Sequence, residues 1–317
     1  MIQRAPTLDT SVIIPAFNAQ KTLGEQLAAL ARQRVPFAWE ILVCDNGSKD
    51  GTSDVVRSWE QSLPNLMLVD ASARPGPSAA RNIGADHARG KALLFCDADD
   101  VVNDDWLSAM HAALQSADFV AGGRRYTLLN KATAGPADWT EPLFTKSFLP
   151  QLPAGSGSNL GVDAELFDRV GGFDESMRAA EDIDLCWRVQ LAGYPLVAQP
   201  DAVIQMRRRT GLWEIFRQSY SYGAGDRILL HKYAVIIASR SSRQTFVRTA
   251  EPPDGGTSEP ARIRRAAHNV VGRRFPSDLA FAVDRYARRL GLRFGRVDRS
   301  APRVTLGPPS TSGALDA

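Results

Sequence analysis

The chain has 317 residues, 44% hydrophobic and 23% charged, with a formal net charge of +3. That is ordinary globular composition, enough for one large domain or two small ones. No apolar run reaches the roughly 18 residues of a spanning helix, and the N-terminal MIQRAPTLDTSVIIPAF has no secretory leader core or cleavage site, so a cytoplasmic location is expected.

Three segments share one grammar: a short apolar, β-rich run ends on polar residues and leads into a helical pattern. They are SVIIPAFNAQ with TLGEQLAALARQ, EILVCDNGSKDGT with SDVVRSWEQSL, and KALLFCDADD with DDWLSAMHAALQ. NLMLVD, a Gly/Pro-rich loop and the helical PSAARNIGADHARG lie between the second and third. Alternation of this kind predicts a mostly parallel sheet with helices on both faces. Ligands on such sheets bind beyond the carboxyl ends of the strands. Those ends carry Pro15-Ala16-Phe17, Asp45-Asn46 and Asp97-Ala98-Asp99.

Further on, DFVAGGRRYTLL reads as a strand and PAGSGSNLGV as a loop. DAELFDRVGGF reads as a helix stopped by Gly171-Gly172, and EDIDLCWRVQLAG as a helix. AVIQMRRR is a short strand, and GLWEIFRQSYSYGAGDRILLHKY a helix. Cys44, Cys96 and Cys186 form no CxxC pair, so reduced, buried thiols are expected rather than a disulfide frame or zinc site.

The acidic turn after the third strand needs a reason. Asp97, Asp99 and Asp100 repel one another unless a cation sits among them. Asp100, Asp104 or Asp105 could simply cap the following helix, but Asp97 and Asp99 precede it. An EF-hand loop fails, because the glycine position would be Val102. A haloacid-dehalogenase-type phosphatase fits the strand plus DxDx[TV], with Asp97 as nucleophile, although three strands precede the motif here. A third reading is a divalent cation, Mn²⁺ or Mg²⁺, bridging the turn to a substrate diphosphate.

Five stretches carry a resemblance. SVIIPAFNAQKTL, EILVCDNGSKDGT, RPGPSAARNIGADHARGKALLFCDADD, VGGFDES and AEDIDLCWRVQLAGY, in this order, resemble the family 2 inverting glycosyltransferases of GT-A fold over roughly residues 11–235. The resemblance implies a GT-A (Rossmann-like) α/β fold and sugar transfer with inversion from a nucleotide-sugar donor, UDP-linked first. It implies donor contacts from Pro15, Ala16, Phe17, Asp45, Arg81, Asp97, Ala98 and Asp99. Asp97 and Asp99 would hold the metal. Asp182 would be the catalytic base beside Glu181, and Asn159 and Gly161 would lie in acceptor loops. The acceptor would be a glycan, a lipid-linked glycan or a small molecule; no nucleic-acid partner is expected. Two positions depart from the pattern. Cys44 stands where a second acid often precedes Asp45. Gln205 and Met206 stand in the strand where metal-dependent relatives often have a histidine; His231, in a helical pattern downstream, is expected to face solvent. Arg207 to Arg209 become candidate diphosphate contacts. A non-catalytic nucleotide-sugar binder is the remaining alternative.

Charge divides the chain. Residues 1–206 carry 17 Lys+Arg against 26 Asp+Glu, and residues 207–303 carry 21 against 8. The expected organisation is a catalytic domain over 1–235, a basic, partly helical extension over 236–299 with a linker at 249–261, and a disordered tail over 300–317. In the extension, Leu279, Val283, Tyr286, Leu290, Phe294 and Val297 recur at helical spacing, with Arg285, Arg288, Arg289, Arg293 and Arg296 largely between them. Such a helix can lie on an anionic membrane surface, or pack its stripe on the catalytic domain or a partner subunit.

Overall fold

The computed structural model describes residues 7–130, 139–245, 276–298 and 303–304. The linker at 249–261 and nearly all of the expected tail lie outside the described residues. The chain divides into two compact units, Met1–Arg208 and Arg209–Ala317.

The first unit is built on one large sheet. Its strands are β1 (Leu8–Ala16), β2 (Trp39–Asp45), β3 (Leu66–Asp70), β4 (Gly90–Cys96), β5 (Val101–Val102), β6 (Phe119–Arg125), β7 (Trp139–Thr140), β10 (Asn159–Asp163) and β11 (Val197–Gln205). The order is β3-β2-β1-β4-β10-β6-β11-β5, with β7 on β6. β1 pairs in parallel with β2 on one side and β4 on the other. The chain order therefore reverses at β1/β4, and a crevice opens there at the carboxyl ends. A separate hairpin joins β8 (Phe144–Lys146) to β9 (Leu149–Ala154).

The apolar runs are strands buried on both faces, which is why they read as continuous rather than alternating. Val12 and Ile14 face a core containing Leu23 and Leu27 of α1 (Leu23–Ala31), Val56 of α2 (Thr52–Trp59) and Trp106 of α4 (Trp106–Leu114). On the opposite side Ile13 and Cys44 lie against Gly84 of α3 (Pro77–His87). Phe95 packs there with Phe167 of α5 (Ala164–Arg169) and with Phe173. The last helix of the unit, α6 (Glu181–Leu191), is tied to β9 by the Trp187 indole, which donates to Leu152 O at 2.7 Å.

Two expectations change. Part of PAGSGSNLGV is not loop: Asn159–Asp163 is the antiparallel strand β10, lodged between β4 and β6. The helix after the acidic turn is preceded by β5, which pairs with β11. Asp105 stands at the N-cap of α4 without a capping hydrogen bond, and Asp104 instead pairs with Arg32 at 2.9 Å.

The three cysteines are free and buried. Burial pushes the Cys44 thiol up to about 12.

The second unit contains α7 (Leu212–Lys232), α8 (Ala234–Thr245) and α9 (Pro276–Phe294). α7 and α9 pack through small residues. A Cβ added at Gly291 would lie 2.0 Å from Tyr220 O, so only glycine permits this approach. No helix among the described residues is long and apolar enough to cross a membrane.

Candidate active site

The rim of the crevice is a set of stapled loops. After β1, Pro15 is half-buried, Ala16 is buried and Phe17 is 60% exposed. Asn18 then adopts a left-handed conformation (φ 51°), which asparagine tolerates. Its carboxamide oxygen accepts the Lys49 N–H at 2.8 Å, and its own N–H donates to Ser48 Oγ at 2.9 Å. Asp45, at the end of β2, accepts the Ser48 N–H at 2.9 Å and the Ser53 hydroxyl at 2.8 Å. Asp45 thus closes the turn Asp45-Asn46-Gly47-Ser48, yet each carboxylate oxygen keeps acceptor capacity. Asn46 ties three loops together. Its N–H donates to Ala16 O at 2.8 Å, its amide nitrogen to Ala71 O and Arg74 O, and its oxygen accepts the Gly76 N–H at 2.7 Å.

At the centre lies Arg81, on the second turn of α3, with a side chain only 5% exposed. Nη2 donates to Asp97 Oδ1 at 2.7 Å and Nη1 to Glu181 Oε1 at 3.2 Å. The guanidinium lies over the Phe173 ring at 5.3 Å, and Phe173 is pinned by reciprocal 2.9 Å bonds with the Asn82 carboxamide. Arg81 is therefore not a surface residue of its helix. Burial opposes its charge, but Asp97 and then Glu181 outweigh it and hold the guanidinium above its ordinary value. Glu181 is pushed up, first by burial and then by the negative Asp182, with Arg81 only partly compensating. The two directions are compatible: Arg81 has two carboxylate partners, whereas Glu181 has one cation and an acidic neighbour.

The acidic turn is held from both sides. Gln26 of α1 is fully buried; its Nε2 donates to Asp97 O at 3.3 Å and its Oε1 accepts the Val102 N–H at 3.0 Å. Asp97, Asp99 and Asp100 offer carboxylate oxygens within 4.8 Å of one another. Clustered hard oxygen donors on a braced turn fit Mn²⁺ or Mg²⁺. From the other side, the Arg207 N–H donates to Asp100 Oδ1 and its Nε to Asp99 O, both at 3.2 Å. Gln205 does not face this turn; its amide bonds Asn103 Oδ1 at 3.1 Å. His231, on α7 in the second unit, is partly buried rather than solvent-facing, with Nε2 enclosed.

Glu181 and Asp182 open α6, where the helix dipole favours carboxylates. The preceding Ala180 has φ 63° and ψ 20°, a left-handed conformation uncommon for alanine. Asp182 Oδ2 accepts the Gly157 N–H at 2.9 Å and Oδ1 accepts the Ile183 N–H at 2.8 Å. Gly157 is seated closely, since a Cβ there would stand 3.0 Å from Asp182 Cβ.

Two resemblance-derived positions lie elsewhere. Asn159 is fully buried in β10; its oxygen accepts the Trp106 indole N–H at 2.8 Å, and its nitrogen donates to Gly123 O and Ala202 O at 2.8 Å. Gly161 pairs with Leu94 and Val120 inside the sheet. Their surroundings are core, and the structure gives both a packing role. Gln26 and Gly157, by contrast, do not stand out in the sequence, and Asn46 stands out there only as part of a polar strand end, without its bracing role. Asn46 had a signal in its place directly after Asp45; Gln26 had only a polar position on an apolar helix face.

A mostly parallel sheet with a strand-order switch, an acidic turn and a second acidic pair at a helix start define an α/β protein with its polar groups gathered at the carboxyl ends of the strands. The model of glycosyl transferase family 2 matches residues 11–171, about half of the chain, and the chain belongs to that family. Glycosyltransferase AglE of Haloferax volcanii is 29% identical over 233 residues, covering 70% of this chain and 76% of that protein. Validoxylamine A glucosyltransferase of Streptomyces hygroscopicus subsp. limoneus is 30% identical over 227 residues, covering 61% of this chain and only 50% of its own length. Among solved structures, the mannosyltransferase PcManGT from Pyrobaculum calidifontis, in complex with GDP-Man and Mn²⁺, superposes with a TM-score of 0.61 at 22% identity, over 91% of this chain and 88% of that one. S. aureus TarS 1-349 in complex with UDP-GlcNAc gives 0.52 at 20% identity, over 90% of each chain. The fold is GT-A, and the protein is a glycosyltransferase by class. Family membership sets aside the phosphatase reading of Asp97.

Proposed function

We propose that this chain transfers a sugar from a nucleoside-diphosphate donor to an acceptor hydroxyl, with inversion at the anomeric carbon. One observation carries the reading: the buried Arg81 links the half-buried carboxylates of Asp97 and Glu181 in a continuous ion-pair chain, with Asp182 adjacent, at the carboxyl ends of the strands. Donor and acceptor functions are thereby side by side. The nucleoside binds between the loops after β1 and β2, beside Phe17, with Asp45 accepting from a ring N–H. UDP is the first candidate and GDP the second. Asp97 and Asp99 would hold the divalent cation, which would neutralise charge on the departing diphosphate. Arg81 fixes Asp97 in place and adds positive charge beside the diphosphate. Asp182 removes the proton of the attacking hydroxyl from the opposite side. One displacement inverts the centre, so an α-linked donor gives a β-linked product.

The second unit supports peripheral attachment to an anionic membrane, which suits a lipid-linked acceptor in glycolipid or polysaccharide synthesis. α9 meets α7 at Gly291, Ala287 is also buried, and Leu279, Tyr286 and Phe294 are exposed at 55%, 62% and 60%. Arg285, Arg289 and Arg293 are exposed between them.

The test is a hydrolysis and thermal-shift screen over UDP-, GDP- and dTDP-sugars with Mn²⁺ and Mg²⁺. Stabilisation and slow hydrolysis with one donor support the reading. Stabilisation without turnover in the presence of any glycan, lipid-linked or small-molecule acceptor would favour a nucleotide-sugar binder.

A further inference from the structure

We propose that Arg207 is a donor-site cation held in reserve by Glu25, and that it exchanges this carboxylate for the donor's diphosphate. The inference rests on the reading of the Asp97–Asp99 turn as the diphosphate site. Arg207 follows β11, and its backbone is fixed on both sides. The Met206 N–H donates to Arg125 O at 2.7 Å, and the Arg207 N–H donates to Asp100 Oδ1 at 3.2 Å. The side chain then lies along the turn, with Nε on Asp99 O at 3.2 Å and Nη2 on Glu25 Oε2 at 3.0 Å. Among the described residues Nη1 makes no hydrogen bond.

The two arginines near the turn differ in availability. Arg81 is buried, and its terminal nitrogens are committed to Asp97 and Glu181. Arg207 is 28% exposed, and its partner Glu25, on α1, is 52% exposed. An ion pair that open is weak and easily exchanged. A diphosphate offers the planar fork several acceptor oxygens of higher charge, which guanidinium groups bind in bidentate fashion. A short rotation about the Nε–Asp99 anchor would free Nη2 while the backbone stays fixed. Arg207 would then supply positive charge beside the Asp99-Asp100 side of the turn. Glu25 in turn would oppose donor binding until it is displaced.

The test is calorimetric titration of UDP, GDP and dTDP, each with and without Mn²⁺, into the wild type, Glu25→Gln, Arg207→Gln and the double variant. Expected are binding of one nucleotide to the wild type, a loss of about tenfold in Arg207→Gln, and a gain of up to about fivefold in Glu25→Gln. The double variant should match Arg207→Gln alone, because Glu25 acts only through the arginine. A Glu25→Gln gain that persists without Arg207 would show simple through-space repulsion and overturn the exchange. So would unchanged or weaker binding in Glu25→Gln, an exposed position where the substitution leaves the fold intact. A wild type that binds none of UDP, GDP and dTDP overturns the donor-site reading itself, and the exchange with it.

Discussion

The backbone amide of Gly157 donates to the Asp182 carboxylate at 2.9 Å, linking the loop between β9 and β10 to the first turn of α6. A charged acceptor held by a backbone donor keeps one direction, as a positioned base must. Replacing Asp182 with Asn preserves size and removes the base. General base catalysis is worth about 10²–10⁴-fold, so kcat should fall by that order while donor binding, read by calorimetry, survives. Gly157→Ala should also lower kcat more than donor affinity, since its methyl would press on Asp182 Cβ at 3.0 Å. Near-normal turnover in Asp182→Asn, or a product that retains the donor's anomeric configuration, would show that the base is wrongly assigned.

The carboxylate cluster at Asp97, Asp99 and Asp100 makes metal removal informative. EDTA should abolish transfer, and Mn²⁺ or Mg²⁺ should restore it. Asp99→Ala should be inactive and unresponsive to added metal, because it lacks one hard oxygen ligand. It is a cleaner probe than Asp97→Ala, which also strips Arg81 of a partner at 2.7 Å. Full activity of the wild type in excess EDTA would transfer the charge-stabilising role to Arg81 and Arg207.

Glu181 gives a pH-dependent prediction. Its carboxyl is pushed up, chiefly by burial. Below the ordinary carboxylate range, folded and unfolded chains both carry it protonated, and it has no effect on stability. As pH rises, the unfolded chain releases the proton first, so the folded state loses stability up to the raised value. Glu181→Gln cannot ionise and escapes this loss. The variant should therefore melt above the wild type at pH 8, with the gap closing towards pH 4, even though activity falls. A gap that is absent at pH 8, or that widens in acid, would contradict the burial argument.

Sequence patterns reveal what is local and conceal what is paired at long range. The acidic turn was legible because three carboxylates end an apolar run, and α6 because its apolar positions recur at helical spacing. Strand β10 was hidden: Asn159–Asp163 is short, contains a glycine and follows a Gly/Ser-rich turn, so nothing local marks it as central. β5 is two valines, too few for any periodicity. The buried polar network was equally silent, since the partner of Trp106 lies 53 residues away. Asn159 was expected among acceptor loops on family likeness, but its side chain closes that network instead. Asn159→Ala should therefore cost stability, at about 1–3 kcal/mol for each buried group left unpaired. Acceptor KM in the folded fraction should stay near the wild-type value. Chemical denaturation and kinetics on the same preparation separate the two effects.

The last prediction concerns α9. Its small-residue face packs on α7 at Gly291, and of the larger residues in the stripe Val283, Leu290 and Val297 are half-buried whereas Leu279, Tyr286 and Phe294 stay exposed. Tyr286 and Phe294 are exposed at 62% and 60%, flanked by exposed Arg289 and Arg293. An interfacial helix combines apolar insertion with attraction to anionic headgroups, each arginine near the surface adding about 1 kcal/mol. Salt screens the second contribution within about 10 Å at 0.1 M and leaves the first largely intact. The protein should therefore co-sediment with phosphatidylserine vesicles at low salt, weakly with neutral ones, and progressively less as salt rises. Tyr286→Ser with Phe294→Ser should weaken binding at all salt concentrations, whereas Arg289→Gln with Arg293→Gln should weaken it mainly at low salt. If the stripe instead meets a second subunit, the first pair would lower the mass in sedimentation velocity and vesicles would fail to pellet the wild type. Absence of vesicle binding at low salt would eliminate the membrane role of this helix.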